Sequence, residues 1–436
     1  MTLRGKVRHG LRIAGGGVLI RAAALHRRRL REVTRVGVTG SCGKTVTKQL
    51  VTAVLATRGP GTRTPAGYNS LVTTARALLA TSPRDSFCVV ELGVWRPGSL
   101  VRPLALLRPQ VGIVTAVGTD HYSAFRGADA VAAEKGRLVR ALPADGTAVL
   151  NADDERVRAM AALGPARVLT FGRCAGADVR ARDVSAAWPD RLGFVVAHAG
   201  QRVAVRTRLV GAHLLPSVLA AIAAGVALGV RLEDAARAVE SVDPEPLRMQ
   251  PVEAPGGITF IRDEMKAPVW SLPAVFEFLR EARAPRKVLV LGSLSDYPGA
   301  TGKRYPRVAR EALAAADRVV FVGPHAASAA KAAPPGSDAL VTLPTVREAA
   351  AFLERDLRPG DLVLLKGSDK VDHLGRLVLS RLREVTCWRD RCGRAQVCDL
   401  CELLAAPPGL PVRLDRKSGV ASLSFRAPAP APREVA

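Results

Sequence analysis

Lys44 and Thr45 end the run Thr39-Gly-Ser-Cys-Gly-Lys-Thr45. Their side chains suit phosphate chemistry: an ammonium that reaches the β- and γ-phosphates, and a hydroxyl that sits on Mg2+. Gly40, Ser41, Cys42 and Gly43 before them make a glycine turn. Its backbone N–H groups point at an anion, and a helix starting behind it adds the positive end of its dipole. Valine stands at position 38, where the general Walker spacing has glycine, so this is a shorter loop of the Gly-Ser-x-Gly-Lys-Thr kind. Downstream, Glu91 closes Cys88-Val-Val-Glu and offers a carboxylate oxygen to a hard cation. Thr115-Ala-Val-Gly-Thr-Asp-His121 again sets polar groups just after a strand-like run, and Lys135 follows in Ala-Ala-Glu-Lys-Gly. Taken singly, Glu91 reads as a surface charge, His121 as a turn residue and Lys135 as a solvated helix lysine. Joined to the loop, they read as an ATP site.

Such residues need a strand–turn–helix to hold them. Val33–Thr39 is a β-branched run without alternation that stops at glycine, the pattern of a buried strand, and Val46–Thr57 continues as a helix. Further strands are expected at Phe87–Leu92, Gly112–Ala116, Ala148–Asn151 and Arg167–Phe171, with helices at Ser70–Leu79, Ala128–Ala141 and Pro216–Leu228 between and after them. That alternation predicts an α/β fold, a P-loop domain with a mostly parallel sheet. The short alternating runs of Val179–Leu209 suggest a small antiparallel sheet. Two prolines in Asp243-Pro-Glu-Pro246 break helix and strand alike and mark a hinge. Beyond it, strands at Gly257–Ile261, Lys287–Leu291, Arg318–Val322 and Leu362–Leu365, with helices at Leu272–Arg283, Tyr305–Ala316 and Val346–Arg355, predict a smaller doubly wound α/β domain. The expected domains are a basic helical leader (1–32), an ATP-binding domain (33–245), a C-terminal domain (246–385), and a four-cysteine module with an Ala/Pro tail (386–436).

The formal charge of +25 invites nucleic acid or an anionic surface as partner, yet aromatics are only 4% and the arginines are spread along the chain. Stacking platforms for single strands are therefore scarce, and nucleic acid is not the expected partner. The dense run around Leu25-His-Arg-Arg-Arg-Leu-Arg31 reads as a solvated helix face before a lipid or phosphate contact. No apolar run reaches a bilayer span, and the N-terminus lacks a signal-peptide core, so the expected location is cytoplasmic. Cys387, Cys392, Cys398 and Cys401 cluster as C-x4-C-x5-C-x2-C. Four thiols so close in a cytoplasmic chain favour a metal, zinc first, with iron–sulfur or a redox pair also open, and offer a surface to a protein partner.

Several motifs in order resemble the Mur ligase family, most closely its D-alanyl-D-alanine-adding branch. They are the loop Thr39–Thr45, Thr64-Pro-Ala-Gly-Tyr-Asn69, Glu91-Leu-Gly-Val-Trp-Arg-Pro-Gly98, the His121-to-Lys135 spacing, Asn151-Ala-Asp-Asp154, Gly211-Ala-His213, Pro246-Leu-Arg248, Asp263 and Leu365-Lys-Gly-Ser368. The resemblance implies an ADP-forming ligase: ATP phosphorylates a small-molecule acid, and an amine attacks the acyl phosphate to give an amide. It implies that Lys44 cradles phosphate, that Thr45 and Glu91 hold one Mg2+, and that His121 and a carbamoylated Lys135 serve a second. Asn151, Arg248 and Asp263 become nucleotide contacts, Arg248 with a catalytic part. Family members that act on UDP-sugars carry a domain ahead of the loop, so the expected acid is one not borne on UDP, in a specialised pathway. Leu214 and Ser217 stand where the family has asparagines, and Asp263-Glu-Met-Lys266 departs from the family wording, Lys266 being a candidate for the γ-phosphate. The rival readings are a P-loop phosphotransferase or ATPase, and a non-catalytic partner protein.

Overall fold

The computed structural model describes residues 16–333, 336–390 and 396–405. Its first sheet has nine strands: β1 (Thr34–Thr39), β2 (Gly61–Arg63), β3 (Phe87–Glu91), β4 (Val111–Val114), β5 (Thr147–Asn151), β6 (Arg167–Gly172), β7 (Val179–Ser185), β8 (Gly193–His198) and β9 (Gln201–Arg206). The spatial order is β2-β3-β1-β4-β5-β6-β7-β8-β9. β1 pairs in parallel with β3 on one side and β4 on the other. Chain order reverses there, and the crevice beyond the carboxyl ends of β1 and its neighbours is where open α/β sheets bind ligands.

Both faces of this sheet are covered, which is why its central strands read as near-continuous apolar runs. On one face α1 (Lys44–Ala56) buries Val46, Leu50, Val51 and Val54 in the same core as Val36 and Val38 of β1. The alanine-rich α3 (Leu215–Ala227) packs beside α1, and a Cβ added at Gly225 would lie 2.3 Å from Val54 Cγ1. The other face carries Leu71–Ala80, Val101–Leu107 and α2 (Ala128–Lys135). The expected Ala128–Ala141 helix is broken at Gly136, after which a short helix, Arg137–Arg140, begins. The 16–26 helix and Leu30 dock on this second core through Ala23, Leu30 and Val33, while Arg28, Arg29 and Arg31 are exposed, as a solvated face requires.

The antiparallel pairing expected over Val179–Leu209 is present in β7, β8 and β9, and β7 joins β6 through the Phe171 and Gly172 pairings, so these strands extend the first sheet. β2 was not foreseen, because three residues carry too little pattern to register.

The second sheet runs β10-β11-β15-β12-β13-β14, built from β10 (Gln250–Ala254), β11 (Ile258–Asp263), β12 (Arg286–Leu291), β13 (Arg318–Val322), β14 (Leu340–Leu343) and β15 (Asp361–Lys366). All pairings are parallel except the β10–β11 hairpin at one edge. Residues 396–405 fold back onto this domain. Asp399 takes buried Arg262 in a two-pronged ion pair, Oδ1 to Nη1 at 2.5 Å and Oδ2 to Nη2 at 3.0 Å, while Glu264 Oε1 accepts from Nε and Nη2 at 2.8 and 2.6 Å. No helix among the described residues is long and apolar enough to cross a membrane.

Close approach of α1 and α3 depends on the missing side chain at position 225. Gly225→Ala gains helix propensity but overpacks a stiff valine, and it is expected to cost about 1–3 kcal/mol in urea unfolding. Adding Val54→Ala should recover part of that loss, giving a favourable coupling in the double-mutant cycle.

Candidate active site

The loop 40–43 leaves β1 at the switch point and turns directly into α1. Gly40 has φ +152° and Gly43 +75°, backbone settings that L side chains rarely adopt. A Cβ at Gly40 would lie 1.8 Å from Thr115 Oγ1, and one at Gly43 would lie 2.6 Å from Ser217 Oγ. The loop is pinned to the end of β4: Ser41 N donates to Ala116 O at 2.8 Å, Thr115 Oγ1 to Cys42 O at 2.6 Å, and Gly118 N to Ser41 Oγ at 2.7 Å. Lys44 Nζ folds back to donate to Gly40 O at 2.6 Å, which stations its ammonium over the loop.

Thr45 Oγ1 donates to Glu91 Oε2 at 3.0 Å, so hydroxyl and carboxylate meet as a metal pair would need. Two residues hold Glu91 in place. Asn69 Nδ2 donates to Oε1 at 3.0 Å, and the buried Lys48 ammonium sits 3.4 Å from Oε2 while also donating to Ala66 O. Burial alone would raise the Glu91 carboxyl, but Lys48, Lys44 and Arg248 hold it below its ordinary value. Lys48 escaped the sequence reading, since a lysine one turn into a helix ordinarily points to water.

Lys135, at the end of α2, is 1% exposed, and its Nζ lies 3.6 Å from Asp120 Oδ2. Desolvation first, then Lys44, push it down to about 7, with Asp120 pulling the other way. His121 has a left-handed backbone (φ 49°), and its imidazole is lowered by burial and then by Lys266. Asn151, at the end of β5, donates through Nδ2 to Thr115 O at 2.8 Å and accepts from Asp153 N at 3.0 Å, which ties β5 to the β4 loop. The amide thus shapes the wall of the site.

Across the gap, Asp263 ends β11 and pairs with Lys366 of β15 at 2.6 Å. Arg248 approaches the 64–69 turn, since a Cβ at Gly67 would lie 3.5 Å from its Nη2 and 3.7 Å from Thr45 Oγ1. Ser217 donates to Gly43 O at 3.4 Å, so the residue in place of a family asparagine braces the loop. The two domains touch directly: His121 N donates to Asp296 Oδ1 at 2.8 Å, and a Cβ at Gly118 would strike the Trp270 ring at 2.7 Å. Neither Asp296 nor Trp270 carries a sequence signal that would have picked it out.

The cysteine cluster is incomplete in view. Cys392 lies outside the described residues, and among those described no three His, Cys, Asp or Glu side chains form a metal-binding group. Cys398 Sγ lies 3.7 Å from His373 Nδ1.

A P-loop at the switch point of one α/β sheet, faced by a second α/β sheet across a gap rich in cations, defines a two-domain nucleotide enzyme. Residues 38–225 match the Mur ligase middle domain, and residues 247–369 match the Mur ligase, glutamate ligase domain. The UDP-N-acetylmuramoyl-tripeptide–D-alanyl-D-alanine ligase of Mycobacterium tuberculosis is 31% identical over 378 residues, covering 81% of this chain and 74% of that protein. Its Escherichia coli counterpart is 28% identical over 300 residues, 68% of this chain and 66% of that one. Among solved structures, MurF from Acinetobacter baumannii superposes with a TM-score of 0.77 at 24% identity, covering 85% of this chain and 81% of that one. MurF ligase from Thermotoga maritima in complex with ADP superposes at 0.71 and 21% identity, covering 84% and 83%. The chain belongs to the Mur ligase family, and with it is an ATP-dependent amide-bond ligase.

Because the folded state keeps Lys135 near 7 against an ordinary 10.5, the unfolded chain binds the extra proton between those values, and this site adds stability as pH rises through that window. Asp120→Asn removes the group that favours the ammonium. It should move the Lys135 titration below about 7, read by NMR of labelled lysine side chains.

Proposed function

We propose that this chain joins a carboxylic acid to an amine through an acyl phosphate, releasing ADP and phosphate. The observation that carries the reading is the pairing of Thr45 with Glu91 beside Lys44, with buried Lys135 and Asp120 on the next loop. In the first step a carboxylate oxygen attacks the terminal phosphorus of ATP and the bond to the ADP oxygen breaks, ADP leaving with the electron pair. The amine nitrogen then attacks the acyl carbon, phosphate departs with the C–O electrons, and the nitrogen gives its proton to solvent.

This chain's own contribution is positioning and fixed charge. Gly40 to Gly43 cradle the phosphates, Lys44 lies over them, and Arg248 and Asp263 meet the nucleotide from the second domain, with Asn151 holding the wall. Thr45 and Glu91 fit one Mg2+, and His121 with Lys135 fit a second; Mg2+ supplies charge neutralisation at the phosphoryl oxygens. A lysine held near 7 is about half free amine at neutral pH, where an ordinary lysine is almost wholly protonated. Lys135 is therefore suited to add CO2, forming an N–C bond and releasing a proton, which turns a metal-repelling ammonium into an anionic oxygen ligand. The 243–246 segment, whose Asp243 O accepts from Gln49 Nε2 at 3.2 Å, is the proposed hinge between domains 33–245 and 246–385.

The acid is the finer question. The relatives above are named for a UDP-linked muramoyl tripeptide, whereas the acid proposed for this chain is free or carrier-borne, and the test offers both kinds. For the C-terminal segment the proposal is zinc on Cys387, Cys392, Cys398 and Cys401 and a surface for a protein partner. Its support is the thiol spacing and the approach of Cys398 to His373, and metal analysis of the purified protein tests the zinc.

Phosphate release from ATP, Mg2+ and bicarbonate, measured against a panel of UDP-linked and free acids with amino acids and dipeptides, should require both an acid and an amine. Lys135→Ala should lower it by about a hundredfold or more. Turnover that ignores the amine would make the chain a phosphotransferase.

A further inference from the structure

We propose that the outer face of the 16–26 helix, with the arginines that follow it, seats the protein on an anionic lipid bilayer. This goes beyond the ligase reading and does not depend on it.

The helix is two-sided. Leu19, Ile20 and Ala23 pack into the second core of the first domain, and His26 Nε2 lies 2.9 Å from Thr81 O, which pins its last turn to the end of the Leu71–Ala80 helix. The opposite stripe carries Val18, Arg21, Ala22 and Leu25, all exposed and at the three- and four-residue spacing of one helical face. Val18 is 67% exposed and Leu25 63%; among the described large apolar side chains only Leu400, at 69%, is more so. A helix whose sole task was to cover the core would carry polar residues at both positions.

The second observation is charge. Arg21, Arg28, Arg29 and Arg31 are exposed on and just after this stripe, and none enters an ion pair among the described residues. Arg35 ties a further arginine to the group: its Nε donates to Arg108 O at 3.1 Å and its Nη1 to Leu30 O at 2.6 Å, so exposed Arg108 stands beside the end of the basic run. The first acid of the chain is Glu32, which lines a cavity with Arg58, Ser86 and Phe87. Every charge of the helix and of the run up to Arg31 is therefore positive.

Aliphatic side chains set among unpaired guanidinium groups are the makeup of an interfacial helix. The aliphatics enter the acyl boundary, and the arginines remain at the headgroup phosphates. A nucleic acid would meet the guanidinium groups, but it gains nothing from exposed Val18 and Leu25, and the stripe offers no ring on which a base stacks. An anionic bilayer satisfies both halves of the face at once, with about a fivefold gain in binding for each basic residue near its surface.

The test is co-sedimentation of the full-length protein with vesicles of phosphatidylcholine alone and of phosphatidylcholine mixed with phosphatidylglycerol. Wild type should bind the mixed vesicles at least about tenfold more tightly than the neutral ones, and added salt should narrow that gap. Val18→Ser with Leu25→Ser should lower binding to the mixed vesicles by about tenfold or more. Arg21→Gln with Arg28→Gln and Arg29→Gln should bring it close to the neutral-vesicle level. All five side chains are exposed, so both variants should keep the wild-type thermal melt. A control, Arg182→Gln with Arg202→Gln and Arg206→Gln, removes the same charge from exposed positions on β7 and β9 and should bind as wild type does. Equal losses in the control and the helix arginine variant overturn the assignment, because net charge alone would then explain the binding. A serine pair that binds like wild type also overturns it, leaving only the electrostatic contact that a nucleic acid or a soluble phosphate makes. Wild type that does not distinguish the two vesicles overturns it outright.

Discussion

The arrangement around Glu91 is the constraint on which the rest of the site depends. A carboxylate 2% exposed survives as an anion only if cations and donors replace its water, and here both oxygens are engaged. Thr45 and Lys48 on α1 reach one oxygen, and Asn69 from the 64–69 turn reaches the other. Three segments distant in sequence are thereby brought to one point at the end of β3. The β1–β3 pairing sets the height of Glu91 above the sheet, and α1 can start where it does because glycine tolerates φ +75° at position 43.

The same economy governs the positive side. Lys44, Lys135 and Arg248 come from the start of α1, from the end of α2 and from the linker to the second sheet. No single element could present them around one volume. The sheets therefore matter to the chemistry chiefly as rulers: strand ends fix where loops begin, and loop lengths decide which charges meet. The second domain adds Asp296 and Trp270 to the first domain's β4 loop, so one wall of the site is shared between the two sheets.

Much of this was legible from residue order. Val33 to Thr45 announced strand, turn and helix because burial on both faces leaves an uninterrupted apolar run and the turn chemistry is restrictive. Glu91, His121 and Lys135 were visible as members of a pattern, although each alone looks like a surface residue. Strands β10 and β14 were harder. Gln250-Pro-Val-Glu-Ala carries a proline and lies at an edge, and Leu340–Leu343 is only four residues long, so neither shows a period. Lys48 and Asp296 were invisible for a different reason. Their importance comes from partners 43 and 175 residues away, and nothing in their neighbours records that distance. The junction of β7 with β6 was not legible, because alternation reports one solvated face but not which sheet a strand joins.

The grip of Asp399 on Arg262 has a bearing on chain integrity. The segment that carries Asp399 lies beyond the family-matched region, which ends at residue 369, yet it occupies a guanidinium in the strand that ends at Asp263. In effect the protein carries its own tethered ligand, held by a covalent connection at an effective concentration that short tethers raise to about the millimolar range. A single proteolytic nick ahead of Asp399 would turn that intramolecular contact into a bimolecular one, and at cellular protein concentrations the freed piece would diffuse away. Arg262 would then keep only Glu264, and β11 would lose a brace that the intact polypeptide never has to recapture from solution.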